Sequence, residues 1–238
     1  MVVTPNYRIG ALGFFADPAL DAESPSGASG NQGILDQIAA LKWVQANIAA
    51  FGGDPSRVML FGESAGAINV CTLLASPLAA GLFSSALMES GGCGAHSQAS
   101  QKVTSSTLAK ELGCATDVAN CMRSLTAQQL VGATDSFSEL LKNFTSFKPA
   151  EGLVGALPWS PSVDGYVLKD FPLQVIAAGA HNKVPLVVGS NANEGAIFTP
   201  SGIRFCSQYE SDMRAIFGTN ADRVLAEYPC NFWKPRQA

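Results

Sequence analysis

Residues 58–75 have the sequence VMLFGESAGAINVCTLLA, and this stretch decides the fold. Its first four residues, 58–61, are apolar and β-prone, so they predict a buried strand. Residues 65–74 follow as an apolar helix, which the pair Ser76-Pro77 closes. A strand that turns directly into a helix is the unit from which parallel α/β sheets are built.

The turn between the two elements is Gly62-Glu63-Ser64-Ala65-Gly66, which matches the nucleophile-elbow pattern G-x-S-x-G. We expect strand and helix to crowd each other here, so that a side chain at Gly62 or Gly66 would clash. Such a turn lifts the Ser64 hydroxyl above the carboxyl end of the strand. It also leaves the Ala65 N–H at a helix N-terminus, where a developing oxyanion is stabilised.

The rest of the chain alternates short β-rich runs with helical patterns, which favours a mostly parallel sheet flanked by helices. Further strands are predicted over residues 1–7, 86–89 and 184–189, and residues 97–150 are predicted as a helical, loop-rich excursion outside the sheet. A helix before the elbow has one apolar face, formed by residues spaced three or four apart: Ile34, Ile38, Leu41, Val44 and Ile48. Glycines 52 and 53 end that helix.

The amino-acid composition and net charge argue against several classes of protein. The 238 residues carry a formal charge of −4, are 47% hydrophobic and only 14% charged. This argues against disorder, and against nucleic acid or an anionic membrane surface as the main partner. No apolar run approaches the roughly 18 residues of a membrane span, and the first eight residues predict no signal peptide.

Six cysteines occur, at positions 71, 93, 114, 121, 206 and 230. Cys114 and Cys121 bracket a short polar turn and predict a disulfide, which would imply an oxidising compartment. Cys71 is expected to pack as a small core residue. The sequence leaves open whether Cys206 and Cys230 form a disulfide. No further cysteine or histidine lies close enough in sequence for a zinc site, so neither a metal nor an organic cofactor is implied.

Several blocks of the sequence resemble the type B carboxylesterase and cholinesterase family. The blocks follow one another along the chain in the same order as in the family. They are residues 6–10 (NYRIG), 30–37 (GNQGILDQ), 51–55 (FGGDP), 58–66 around the elbow, 163–165 (VDG), 182–185 (NKVP) and 193–195 (NEG). The resemblance implies an α/β-hydrolase fold over residues 1–238, incomplete at both ends. It also implies hydrolysis of small-molecule carboxylic esters through an acyl-serine intermediate.

The resemblance assigns roles residue by residue. Ser64 would be the nucleophile, Ala65 an oxyanion donor and Glu194 the acid of a catalytic triad. Glu63 would place its charge beside the reacting centre, and Ser90 would support the acid–base network. Arg8 and Asp36 would form a structural salt bridge, and residues 91–96 would occupy a loop near the acyl pocket. Position supports the first assignments independently, because Ser64 and Glu194 both follow predicted parallel strands and should meet at one sheet edge.

The histidine of such a triad has no counterpart here. The chain contains only His96 and His181, and none follows Glu194. His181 precedes a predicted strand and should lie roughly 20 Å from the catalytic edge, whereas the position of His96 does not exclude it as a substitute base. The family's Gly-rich oxyanion loop is also missing, so we expect the chain as given to be a truncated, poorly active form. The strands at residues 1–7 and 58–61 would be left as unpaired edges or forced into a new pairing.

Two alternatives to an esterase remain: a non-catalytic binding or adhesion protein on the same fold, and a gene fragment without function. The Cys114–Cys121 pair suggests secretion. Asn143-Phe144-Thr145 is a glycosylation sequon, which has meaning only in a eukaryotic secretory setting and is otherwise a chance match. Oligomeric state and acyl or alcohol preference are not encoded in any motif.

Overall fold

The computed structural model describes residues 1–134, 157–194 and 205–230. Within these ranges the strands are β1 (Met59–Glu63), β2 (Ser85–Glu89), β3 (His96–Ser97), β4 (Ser162–Val163) and β5 (Leu186–Gly189). The helices before the elbow are α1 (Gly10–Phe14), α2 (Pro18–Glu23) and α3 (Gln32–Asn47), and α4 (Ala65–Ala75) follows it. The remaining helices are α5 (Gln98–Glu111), α6 (Val118–Ser124), α7 (Ala127–Gly132), α8 (Pro172–Ala177), α9 (Cys206–Phe217) and α10 (Ala221–Glu227).

The main sheet has the strand order β1-β2-β5, and both pairings are parallel. This confirms the parallel α/β architecture expected from the alternating pattern. The three predicted strands at 58–61, 86–89 and 184–189 correspond to β1, β2 and β5. A second, two-stranded sheet pairs β3 with β4, where His96 lies opposite Ser162.

The apolar core fills the space between α3, α4 and one face of the sheet. All five residues of the predicted apolar face of α3 are buried: Ile34, Ile38, Leu41, Val44 and Ile48. Residues 67–75 of α4 are buried as well, which explains why all of them except Asn69 and Thr72 are apolar. The helix end is also as expected, since Gly52 has a φ of 81°, a left-handed conformation that closes the turn after Phe51.

Residues 1–7 form no strand, and the prediction for them is wrong. A strand needs a ladder partner for its backbone N–H and C=O groups, and none of the described strands pairs with this segment. Met1 and Val2 are 72% and 70% exposed. The end of the segment is held instead by side chains, because Asn69 Nδ2 on α4 donates to the Tyr7 hydroxyl at 3.2 Å.

The prediction that residues 58–61 form a buried strand is also only half right. Leu60 faces the core, but Met59 and Phe61, on the opposite face of β1, are 52% and 47% exposed. Within the described residues β1 lies at one edge of the sheet and β5 at the other. Val187 and Val188 on β5 are similarly exposed. The apolar run at 58–61 therefore predicted the strand correctly, but it did not predict that one face of the strand is exposed.

The Arg8–Asp36 salt bridge is present as expected. The Arg8 side chain donates from Nε and from one terminal nitrogen to the two carboxylate oxygens of Asp36, at 2.8 and 2.7 Å. The Arg8 backbone N–H adds a third bond at 3.0 Å. This arrangement fixes the entry into α1 against the first turns of α3.

Three disulfides cross-link the described chain, and its cysteines are all paired. Cys114–Cys121 is the predicted bridge, and Cys206 with Cys230 forms the second bridge that the sequence left open. The expectation for Cys71 has to be corrected. It is fully buried in the core, but it is bonded to Cys93 rather than packed as a free thiol.

Candidate active site

Ser64 lies in a strained turn between β1 and α4. Its φ is 54° and its ψ is −115°, a region that residues with a side chain rarely occupy. The Ser64 N–H donates to Glu89 O on β2 at 2.9 Å, and the Ser64 carbonyl accepts from Ile68 N–H at 3.1 Å. The side chain makes no capping bond to α4 and is exposed. The backbone of Ser64 is thus bonded on both sides while its hydroxyl projects from the sheet edge.

Close backbone contacts explain why this turn needs glycine, but not at both predicted positions. A Cβ on Gly62 would lie 2.4 Å from the carbonyl carbon of Gly66, so strand and helix do crowd each other there. A Cβ on Gly66 would meet no atom of the described residues within 4 Å, and the expected clash at that position is wrong. The tight contact that sequence reasoning missed is Gly91, where a Cβ would lie 2.6 Å from Ser64 O.

Ala65 is the first residue of α4, which has 11 residues. The first N–H groups of a helix have no acceptor within the helix itself, and the helix dipole favours negative charge beside them. The Ala65 N–H, directly after Ser64, is one of these groups.

A second polar cluster lies at the end of β2 and β5. The Ser90 N–H donates to Gly189 O at 2.9 Å, and Ser90 has a φ of 55°. Asn191 Nδ2 donates to Ser90 Oγ at 3.2 Å, and the Asn191 N–H donates to Glu194 Oε1 at 2.5 Å. The sequence analysis proposed Ser90 and Glu194 as site residues but missed Asn191. Its position just after a predicted strand could have indicated that it belongs to this cluster.

The hydrogen bonds in this cluster favour the ionised form of Glu194. The pKa of Glu194 is lowered, first by its side-chain hydrogen bond with Ser90 and next by the Asn191 N–H. Each of these donors stabilises the carboxylate more than the neutral acid. An ionised carboxylate is what orients an imidazolium in a triad.

Strand register brings the two clusters to the same edge. Glu63, at the end of β1, is paired with Glu89, at the end of β2, and Glu89 is paired with Gly189, at the end of β5. Ser64, Ser90 and Ser190 are the residues that follow these three ends. Because neighbouring strands are about 4.8 Å apart, the β1 and β5 ends are separated by roughly 10 Å. Glu63 is exposed at this edge beside Ser64.

The two histidines of the chain lie in different parts of the fold. Asn182, next to His181, donates to Leu73 O and Ser76 O at the far end of α4, both at 2.9 Å. His181 therefore lies at the opposite end of α4 from Ser64, as the sequence predicted. His96 is buried in the β3–β4 sheet, and its Nε2 lies 2.6 Å from Leu157 O. A nitrogen bonded to a carbonyl must carry the proton, so Nε2 is no acceptor.

Two surface cavities of the described residues have no elbow residue in their lining. One, of about 520 Å³, is lined by residues of α1, α6 and α7, including Phe15, Met122 and Arg123. The other, of about 280 Å³, is bounded by Glu23, Arg123 and Asp164. No group of three metal-ligating side chains occurs within residues 1–134, 157–194 and 205–230. In the same ranges, no helix combines the length and hydropathy needed to cross a bilayer.

Comparison with protein families gives one match over nearly the whole chain. The model of the carboxylesterase family matches residues 1–230. The chain is 42% identical over 232 residues to fumonisin B1 esterase of Sphingopyxis macrogoltabida, covering 97% of this chain and 40% of that protein. It is 34% identical over 253 residues to para-nitrobenzyl esterase of Bacillus subtilis, covering 100% of this chain and 49% of that protein.

Solved structures give the same result. A thermophilic PNB esterase superposes with a TM-score of 0.75 at 33% identity, covering 94% of this chain and 44% of that one. A second PNB esterase gives a TM-score of 0.74 at 32% identity, with 94% and 46% covered. The described residues thus adopt part of the α/β-hydrolase fold, and the chain spans less than half the length of these relatives.

Proposed function

Because this chain belongs to the carboxylesterase family, we propose that it functions in the hydrolysis of carboxylic esters, with Ser64 as the nucleophile. The observation that carries this proposal is the strained, outward-facing Ser64 at the sheet edge that also holds the Ser90–Glu194 pair. A φ of 54° at a serine persists only where the surrounding contacts impose it.

In the proposed reaction Ser64 Oγ attacks the carbonyl carbon of the ester. The carbonyl oxygen becomes an oxyanion, which the Ala65 N–H and the N-terminus of α4 stabilise. The bond between the acyl carbon and the alcohol oxygen then breaks, and the alcohol leaves with the proton lost by Ser64. Water attacks the acyl-Ser64 ester in the second half, releasing the carboxylic acid and restoring the hydroxyl.

Glu194 takes the role of triad acid in this scheme, and Ser90 and Asn191 hold it in place and ionised. The gap of roughly 10 Å between the ends of β1 and β5 leaves room for an imidazole between serine and carboxylate. We assign the base to neither histidine, because His181 lies at the far end of α4 and His96 Nε2 donates to Leu157 O. Loss of a triad base lowers turnover by up to about 10⁶, and we expect the isolated chain to hydrolyse esters very slowly.

Secretion is proposed from the three disulfides, since such cross-links persist in oxidising compartments. The predicted sequon at Asn143 lies outside the described residues.

Labelling with a fluorophosphonate tests the proposed nucleophile without requiring turnover. The chain would be incubated with the probe with and without added imidazole, which can act as an external base, and the labelled peptide would be mapped by mass spectrometry. We expect imidazole to accelerate labelling at Ser64 and the Ser64→Ala variant to take up no label. Labelling of Ser64 no faster than that of the exposed Ser190 would contradict the proposal and favour a non-catalytic binding protein.

A further inference from the structure

The loop after β2, residues 90–95, contacts both halves of the proposed site. At its start Ser90 holds Glu194 and Asn191. One residue later, Gly91 packs so closely on α4 that a Cβ would lie 2.4 Å from Ala67 Cβ and 2.6 Å from Ser64 O. The distance between nucleophile and acid thus depends on how this loop lies against α4.

The sequence of the loop does not fix that conformation. Ser90-Gly91-Gly92-Cys93-Gly94 contains three glycines, which have the largest backbone freedom of any residue. Among the described residues, backbone hydrogen bonds hold the ends of the loop, from Ser90 N–H to Gly189 O and from His96 N–H to Pro161 O. None is present at residues 91–95 between them.

The Cys71–Cys93 disulfide joins the middle of this loop to α4. Ala67 and Cys71 are four residues apart and share one face of the helix, about 6 Å apart along its axis. Gly91 and Cys93 are two residues apart, which spans nearly the same length in an extended chain. The loop therefore lies along the α4 face, in contact at Ala67 and covalently bonded at Cys71.

We propose that the Cys71–Cys93 disulfide is a positioning cross-link of the candidate active site, which holds the 90–95 loop on α4 and thereby sets Glu194 relative to Ser64. The inference rests on the proposed function for its catalytic meaning. Its structural content, the coupling of the loop and Glu194 to residue 71, can be measured without esterase activity.

The test compares two variants that each remove one disulfide. Cys71→Ala/Cys93→Ala removes the cross-link, and Cys114→Ala/Cys121→Ala is the matched control, because its bridge joins the region after α5 to α6. Hydrogen exchange would be followed in peptides covering residues 64–68, 90–96 and 98–111. We expect exchange of the hydrogen-bonded Ser90 and His96 amides to rise about tenfold in the first variant, with a smaller rise at 64–68, and no change at these amides in the control.

A second readout separates positioning from a general loss of stability. The Glu194 carboxyl would be titrated by carbon NMR under conditions where both variants are folded. Without the cross-link Ser90 should lose its bond to Glu194 part of the time, so the pKa of Glu194 should rise toward its ordinary value, while the control keeps the parent titration. If the alanine pair does not fold, Cys71→Val/Cys93→Ala keeps apolar volume in the core and takes its place.

Unchanged exchange of the Ser90 and His96 amides together with an unchanged Glu194 titration would overturn the inference. Failure of Ser64 to react with the fluorophosphonate would overturn the proposed function. It would not affect the test of the cross-link, because hydrogen exchange and the Glu194 titration do not depend on esterase activity. A shift of equal size in the control variant would also contradict the inference, since it would show a general effect of losing any disulfide.

Discussion

Ser64 and Glu89 are joined across two parallel strands, the Ser64 N–H donating to Glu89 O at 2.9 Å. This bond continues the β1–β2 ladder one residue beyond β1, so the strained turn is an extension of the sheet rather than a free loop. The Ser90 N–H repeats the arrangement on the next strand pair with Gly189 O at 2.9 Å. Both serines with positive φ are therefore held by the strand beside them.

Gly62→Ala should destabilise the fold, whereas Gly66→Ala should not. A Cβ at Gly62 would lie 2.4 Å from the backbone of Gly66, and neither backbone can move without shifting the turn. We expect a loss of about 1–3 kcal/mol in the free energy of unfolding for Gly62→Ala. Gly66→Ala has open space and gains helix propensity of up to about 1 kcal/mol. Urea denaturation of both variants would measure the difference, and equal midpoints would contradict the expected crowding.

Asp36→Asn should weaken the protein at neutral pH but not in acid. The side-chain hydrogen bond from Arg8 lowers the pKa of Asp36, so its stabilisation is present above the ordinary pKa of about 3.9 and is lost as pH falls through the lowered value. We expect the free energy of unfolding of Asp36→Asn to be about 1 kcal/mol lower than that of the parent at pH 7. This difference should decrease toward zero as the pH falls below about 3.9.

Thermal unfolding between pH 2 and 7 would test this pH dependence. Asp222→Asn is the control, since the Asp222 side chain that pairs with Arg214 is 81% exposed and its removal should change little. A constant difference between Asp36→Asn and the parent at all pH values would show that the ion pair is not the cause.

Ser90→Ala should raise the pKa of Glu194. The hydrogen bond with Ser90 is the largest cause of the lowered value, and the Asn191 N–H, which remains in the variant, accounts for a further part. Carbon NMR titration of the Glu194 carboxyl would measure the change. The neighbouring exposed Asn193, replaced by alanine, should leave the titration as it is. A Glu194 titration that did not move in Ser90→Ala would show that Asn191 rather than Ser90 holds the carboxylate.

Phe61→Lys should reduce self-association of the isolated chain. Phe61 is 47% exposed on β1, whose outer edge carries no partner strand in the described residues. Exposed apolar edges template further strand pairing, and a lysine opposes it. Light scattering on heating would report the effect. Val103→Lys removes a more exposed apolar side chain, at 66%, from helix α5, and an equal improvement there would point to general solubility instead of the edge.

The amino-acid sequence by itself determined the elements whose causes are local. The apolar periodicity of residues 34–48 fixed the buried face of α3, and the sequence from Val58 to Gly66 fixed a strand, a sharp turn and a helix. Position after a strand was enough to place Ser64, Ser90 and Glu194 near one edge. These features depend on neighbours in the chain, which a sequence displays.

Tertiary structure decided whatever depends on distant partners. Residues 1–7 have strand-like composition but no ladder partner among the described strands, and Phe61 lies on a face that the described residues leave uncovered. The Cys71–Cys93 bond and the close contact at Gly91 arise because the loop after β2 folds back along α4. Strand pairing and burial depend on two segments that are distant in the chain, so they cannot be predicted from the sequence of either segment alone.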